Sequence, residues 1–142
     1  MNKPIDILLV EDNPGDVELV RAGFEEASLL IEIRVISDGQ TAMEFFTAKD
    51  SVMPDLVLLD INLPKVSGIE VLKKIKSTAY SCQIPVVVLT SSDAEIDIVR
   101  SYAEHANSFI SKPVDFDKFM KVIRSIEDFW LTVVKLPGSH RS

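Results

Sequence analysis

The chain has 142 residues, of which 46% are hydrophobic and 26% charged, and a net charge of −7. Its length suits one domain with a single core. No run approaches the roughly 20 apolar residues that a membrane-spanning helix needs, and the acidic charge argues against nucleic acid or an anionic lipid surface as a direct partner. Together with a single cysteine, Cys82, and no signal segment at the N-terminus, these features predict a cytoplasmic protein.

Short apolar runs alternate along the chain with longer stretches of helical period, a pattern typical of βαβ units. The predicted strands are Ile5 to Val10, Ile31 to Ile36, Asp55 to Leu59, Pro85 to Thr90 and Asn107 to Ile110. The predicted helices are Asp16 to Ser28, Gly39 to Ala48, Gly68 to Ser77, Ala94 to His105 and Phe116 to about Val134. The sequence therefore predicts an α/β fold with a five-stranded parallel sheet and five helices, the last of them extended.

The apolar content of each strand indicates its place in the sheet. The first, third and fourth strands are nearly continuous apolar runs, as central strands covered on both faces are. The second alternates, with Glu32 and Arg34 between apolar residues, which favours an edge position. Right-handed crossovers then favour a doubly wound, flavodoxin-like sandwich with strand order 2-1-3-4-5.

Polar side chains stand at the C-terminal ends of four predicted strands, and these ends share one edge of a parallel sheet. They are Glu11, Asp12, Asp60, Thr90 and Lys112. Carboxylates 4 Å apart repel by on the order of 4 kcal/mol at an effective dielectric near 20, and a hard cation such as Mg²⁺ offsets this repulsion. Asp60 is the candidate nucleophile for an acyl phosphate. Lys112 and Thr90 would neutralise the phosphoryl oxygens.

These residues stand in four short motifs, which are LLVEDN at 8–13, LLDINLP at 58–64 followed by Gly68, VLT at 88–90 and SKP at 111–113. The motifs resemble those of the receiver domains of bacterial two-component response regulators. The spacing of Asp60, Thr90 and Lys112 also matches that family. The resemblance covers residues 5 to about 134, so we expect a stand-alone receiver domain over residues 1–136 and a polar tail over 137–142.

The resemblance implies a role for each site residue. Asp60 would accept a phosphoryl group from the phosphohistidine of a sensor histidine kinase, and Thr90 and Lys112 would bind the phosphoryl oxygens. Thr90 and Phe109 would form the conformational switch, with Phe109 in place of the commoner tyrosine. The implied Mg²⁺ ligands are the side chains of Glu11, Asp12 and Asp60 and the backbone carbonyl of Asn62. Such a protein is a signalling switch, not an enzyme, with only slow self-dephosphorylation.

A second resemblance is in the C-terminal part, where Phe129, Trp130 and Leu131 are followed by Val133, Leu136 and Pro137. This part is similar to the small response regulators of cyanobacterial and other bacterial phytochromes, which makes a phytochrome the candidate kinase. About 13 helical residues cover a six-residue strand, so the last predicted helix extends beyond the sheet. Phe129, Trp130 and Val133 lie on this extension. Burying them against a second copy of the chain predicts a homodimer. The alternative is that they fold back over the domain's own edge.

Three other functions are weighed against the signalling switch. A phosphorylation-independent adaptor with a receiver fold is the main alternative, although it would have no use for clustered acids. A flavodoxin-like FMN carrier needs a Ser-, Thr- and Gly-rich loop after the first strand, where this chain has EDNPGD at 11–16. An aspartyl phosphatase usually has a second acid two residues after the nucleophile, where this chain has Asn62.

Overall fold

Five parallel strands form one sheet in the order β2-β1-β3-β4-β5. The computed structural model describes residues 4–27, 30–90, 108–112 and 115–129. The strands are β1 (Ile5–Val10), β2 (Ile31–Ile36), β3 (Leu56–Asp60), β4 (Val86–Thr90) and β5 (Ser108–Ser111). The helices in the described residues are α1 (Pro14–Glu25), α2 (Gly39–Thr47), α3 (Gly68–Ser77) and α4 (Phe116–Phe129). The parallel sheet has the strand order that the sequence predicts.

Burial along the strands follows their position in the sheet. Every residue of β3 and β4 is buried, and so is every residue of β1 except Asp6. No residue of β2 is fully buried, which confirms that it is an edge strand. On this edge Arg34 donates to both carboxylate oxygens of Asp6 and to the carbonyl of Val52, and its guanidinium lies 5.3 Å from the centroid of the Phe45 ring.

Two hydrophobic clusters cover the two faces of the sheet, because successive side chains of a strand point to opposite sides. The cluster beneath α2 and α3 includes Leu8, Val10, Phe46, Val71 and Ile75. The cluster beneath α1 and α4 includes Ile7, Leu9, Val20, Phe24 and Phe119. In the second cluster the rings of Phe24 and Phe119 pack edge to face, with their centroids 5.8 Å apart. The fold is therefore the doubly wound sandwich that the strand pattern predicts.

Polar caps define where the helices begin. Asn13, Asp38 and Ser67 each accept a hydrogen bond from a backbone N–H in the first turn of the helix that follows. Such a bond satisfies one of the donors that a helix leaves unpaired at its N-terminus. Helix α1 begins at Pro14, two residues before the predicted start, because Asn13 caps it and proline suits the first helical position.

Three predicted features lie outside the described residues. They are the fourth predicted helix, Ala94 to His105, the extension of the last helix beyond Phe129, and the polar tail over residues 137–142. A total of five helices therefore stays a prediction. None of the helices in the described ranges has both the length and the apolar content that a membrane span requires.

Candidate functional site

The C-terminal edge of the sheet brings together the polar residues that end its strands. Glu11 follows β1, Asp60 ends β3 and Thr90 ends β4, and each of the three is 1% exposed. Lys112 follows β5, and its backbone N–H donates to the carbonyl of Thr90 at 2.8 Å. The structure therefore places these four residues at one edge, as parallel strand ends require.

Three carboxylates form a cluster at this edge. One carboxylate oxygen from each of Glu11, Asp12 and Asp60 lies within 4.8 Å of the others, with Asp12 exposed and the other two buried. The backbone N–H of Asn13 donates to Glu11 Oε2 at 3.1 Å. The backbone N–H of Asn62 donates to Asp60 Oδ1 at 2.9 Å. These bonds orient the two buried carboxylates, which still need positive charge beside them.

Lys112 supplies that charge. Its Nζ lies 2.8 Å from Glu11 Oε1, 3.1 Å from Asp60 Oδ2 and 3.0 Å from Asp16 Oδ2. The lysine side chain is only 13% exposed, so water screens these ion pairs less than surface pairs. The contact with Asp16 is not among the predicted ones. By sequence, Asp16 is an ordinary acid in the first turn of a helix, where acids are common.

The pKa values reflect this crowding. Burial is the main cause that raises the pKa of Glu11 to about 7. Nearby Asp60 also raises this pKa, whereas the hydrogen bond from Lys112 lowers it. Burial alone would lower the pKa of Lys112, but hydrogen bonds to Glu11 and Asp16 and the charge of Asp60 raise it above its ordinary value. The lysine therefore stays an ammonium, and the buried Glu11 carboxyl is harder to ionise than an exposed glutamate.

The donor set fits a hard divalent cation. Glu11 Oε1 is buried and accepts no hydrogen bond from the described residues, since the hydrogen bond from Lys112 Nζ goes to Glu11 Oε2 at 3.0 Å. A lone pair on this oxygen is thus available to a metal ion. Carboxylate oxygens are the ligands that Mg²⁺ prefers. The side chains of Glu11, Asp12 and Asp60 could hold such an ion.

The loop after β3 packs tightly against the site. A Cβ on Gly68 would overlap the carbonyl oxygen of Asp60 and lie 2.6 Å from the Cα of Ile61, while the N–H of Gly68 donates to the carbonyl of Ile61 at 3.0 Å. Only glycine lets α3 begin this close to the strand end. Within the loop, Lys65 has a left-handed backbone with φ of 72°.

The structure describes some of the remaining predicted site residues in full, some only by their backbone, and some not at all. Thr90 lies at the edge, but the role of its hydroxyl stays a prediction, as does that of the Asn62 carbonyl. The backbone of Phe109 lies in β5, paired in register with Val88, and its side chain is outside the described part. Phe129 ends α4 with its side chain also outside that part. Trp130 and Val133 lie wholly outside the described residues.

The site is a set of buried acids and a lysine at the C-terminal edge of a doubly wound sheet. The model of the response regulator receiver domain matches residues 7–124. The chain belongs to this family, as the motifs around the site predict. Members are signalling proteins of two-component systems.

Two relatives are similar over nearly their whole length. Response regulator Rcp1 of Synechocystis sp. (strain ATCC 27184 / PCC 6803 / Kazusa) is 40% identical, with 97% of each chain covered. The probable methanogenesis regulatory protein FilR2 of Methanothrix harundinacea (strain 6Ac) is 38% identical, with 95% of this chain and 89% of that one covered.

Solved structures agree with the fold. The phosphorylated cyanobacterial phytochrome response regulator RcpA and the Mn²⁺-bound form of Rcp1 each give a TM-score of 0.76, at 38% and 40% identity, with 92% of this chain and 96% of theirs covered. The bacteriophytochrome response regulator AtBRR gives 0.73 at 42% identity, with 91% and 96% covered. Receiver domains bind a divalent metal ion, and the acid cluster of this chain is consistent with the predicted Mg²⁺ site.

Proposed function

We propose that this protein is a response regulator that accepts a phosphoryl group from a sensor histidine kinase on Asp60. The observation that carries the proposal is the setting of that carboxylate. Asp60 is buried at the end of β3, its Oδ2 lies 3.1 Å from the Lys112 ammonium, and oxygens of Glu11 and Asp12 lie within 4.8 Å. The setting suits a nucleophile that receives a highly charged group.

The phosphoryl transfer replaces a P–N bond of the kinase by a P–O bond to Asp60. Asp60 Oδ2 attacks the phosphorus of the kinase phosphohistidine, a P–O bond forms and the P–N bond breaks. The electron pair of the broken bond stays on the imidazole nitrogen, which takes up a proton. Asp60 Oδ1 meanwhile keeps its bond from the Asn62 N–H, so the carboxylate is held for in-line approach.

The neighbouring residues would neutralise the phosphoryl oxygens. Lys112 would turn its ammonium toward one oxygen, and the hydroxyl of Thr90 would donate to another. A bound Mg²⁺, held by the three acids and the Asn62 carbonyl, would supply further positive charge there. The movement of Thr90, coupled to Phe109, would carry the change to the surface as a shift between two conformations.

Labelling by a small phosphodonor tests the assignment of Asp60. With acetyl phosphate and Mg²⁺, we expect the wild type to gain the mass of one phosphoryl group and Asp60→Asn to gain none. The matched control is Asp55→Asn, at the opposite end of β3. There Asp55 Oδ2 accepts the Asp6 N–H at 2.8 Å, and asparagine can keep that bond. This control should label like the wild type.

Labelling of Asp60→Asn to the same extent as the wild type would show that Asp60 is not the acceptor. A wild type that neither labels nor binds Mg²⁺ would instead support a phosphorylation-independent adaptor, in which the receiver fold serves only as a binding surface.

The kinase that we propose as partner is a phytochrome. Support comes from the similarity to RcpA and AtBRR, two phytochrome response regulators. Because the similarity to FilR2 is comparable, the test also includes other histidine kinases. Phosphotransfer from a panel of purified, autophosphorylated kinases tests the proposal. A phytochrome kinase should label the protein fastest, and faster labelling by any other kinase would contradict it.

We also propose that the chain is a homodimer through Phe129, Trp130 and Val133. The support is the apolar sequence of this segment, which a single sheet of this size cannot cover. Sedimentation of the wild type and of Trp130→Ala tests it. A monomeric wild type would favour the alternative, in which the segment covers its own domain.

A further inference from the structure

One acid in contact with Lys112 lies outside the acid cluster. Asp16 Oδ2 is 3.0 Å from the lysine Nζ, within the range of its contacts with Glu11 and Asp60. Those two acids, with Asp12, form the cluster that fits a divalent cation, and Asp16 is not part of it. A cation in the cluster would therefore compete with Lys112 for two of its three carboxylate partners and leave it the third.

The backbone of Asp16 is held by a contact outside the cluster. It lies in the first turn of α1, where its backbone N–H donates to Asn13 Oδ1 at 3.1 Å. The positive end of the helix dipole favours a carboxylate at this place. The Asp16 side chain is 22% exposed and that of Lys112 is 13% exposed, so their ion pair is partly shielded from water. Asp16 can thus keep the ammonium while the other acids change partners.

Electrostatics gives this third partner a function. A dication and an ammonium that share Glu11 and Asp60 repel each other strongly at such short range. An ammonium left without any carboxylate in a partly buried place is also unfavourable. Pairing with Asp16 relieves both costs, since Lys112 keeps a carboxylate partner that it does not share with the cation.

We propose that Asp16 is a positioning residue that retains Lys112 when a divalent cation takes Glu11 and Asp60. The retained ammonium then stays next to Asp60, ready for the phosphoryl group. This inference rests on the proposed function and specifies how one of its residues is held.

Mg²⁺ titration by calorimetry tests the inference in four proteins: the wild type, Asp16→Asn, Asp16→Glu and Glu18→Gln. The last is the matched control, because Glu18 is an exposed acid on the same helix and its loss changes the net charge equally. We expect Asp16→Asn to raise the Mg²⁺ Kd about threefold or more beyond the control. Asp16→Glu, which keeps a carboxylate, should recover most of the difference.

A double-mutant cycle separates positioning from simple charge. In a Lys112→Gln background there is no ammonium to retain, so Asp16→Asn should change the Mg²⁺ Kd no more than Glu18→Gln does. An equal effect of Asp16→Asn with and without Lys112 would overturn the inference. It would mean that Asp16 acts on Mg²⁺ directly, through its negative charge or as a ligand of the ion.

Acylation of the Lys112 amine, followed by mass spectrometry, gives a second readout that does not require the lysine variant to fold. In saturating Mg²⁺ the amine should react several-fold faster in Asp16→Asn than in the wild type or in Glu18→Gln. Equal reactivity overturns the inference. If the wild type binds Mg²⁺ and is labelled at Asp60 but Asp16→Asn changes neither the Mg²⁺ Kd nor the lysine reactivity, only the role of Asp16 is refuted. If the wild type neither binds Mg²⁺ nor is labelled, the proposed function is refuted.

Discussion

Glycine at position 68 shows how closely a single residue is fitted to the site. The contact that requires glycine is with the backbone of Asp60, and backbone cannot rotate out of the way as a side chain can. A methyl group here must push α3 away from β3 or shift the strand end itself. The choice of residue therefore bears on where the Asp60 carboxylate lies.

Gly68→Ala should destabilise the protein by about 3 kcal/mol, the upper part of the usual range for overpacking, and slow labelling at Asp60. Urea unfolding and the acetyl phosphate reaction measure the two effects. Gly15→Ala is the control, since its new Cβ would meet only one side-chain atom, Asn13 Oδ1 at 3.2 Å, and no backbone. If both variants were equally stable, the close approach of Gly68 would not constrain the fold.

At the scale of elements, most of the architecture follows from local pattern. Largely apolar runs identify β1, β3 and β4 as central strands, and the alternation in β2 identifies an edge, because burial on one or two faces acts on every residue of a strand. The contact of Asp16 with Lys112 could not be predicted in this way. It joins the start of α1 to the end of β5, 96 residues further along the chain, and no periodicity encodes such a pairing.

Helix α2 offers a pH-dependent test of its cap. Asp38 accepts hydrogen bonds from the N–H of Thr41 at 2.7 Å and from its hydroxyl at 3.0 Å, and chiefly the first of these holds its pKa below the ordinary 3.8. A lowered pKa means that the unfolded state binds the proton more readily, so the stabilisation by this carboxylate is present above pH 3.8 and is lost as the pH falls through the folded value.

The difference in unfolding free energy between the wild type and Asp38→Ala should therefore shrink as the pH falls from 6 toward 3, as measured by urea unfolding. Asp38→Asn keeps an acceptor without a titrating charge, so its advantage over Asp38→Ala should not change with pH. A constant difference between wild type and Asp38→Ala would show that the charge adds nothing to the cap.

At the scale of the whole molecule, a divalent ion bound at the acid cluster should stabilise the folded state. A ligand that binds only the folded state stabilises it by about 2.7 kcal/mol at 100 times its Kd. MgCl₂ should therefore raise the unfolding temperature of the wild type. NaCl of equal ionic strength should have a smaller effect, because the site requires a divalent ion. Asp12→Asn, which removes one carboxylate of the cluster, should weaken the response to MgCl₂, and an undiminished response would exclude Asp12 as a ligand.

The edge strand β2 limits how the molecule can associate with itself. An uncovered strand is a template for pairing with another chain, and charged side chains are a common protection against this. Here Glu32 is exposed, and Arg34 is bound to Asp6 and to the carbonyl of Val52. A strand added along β2 would have to disturb these charges. Continuous sheets that extend from one molecule to another through β2, and the fibrous aggregates that grow from them, are thereby disfavoured.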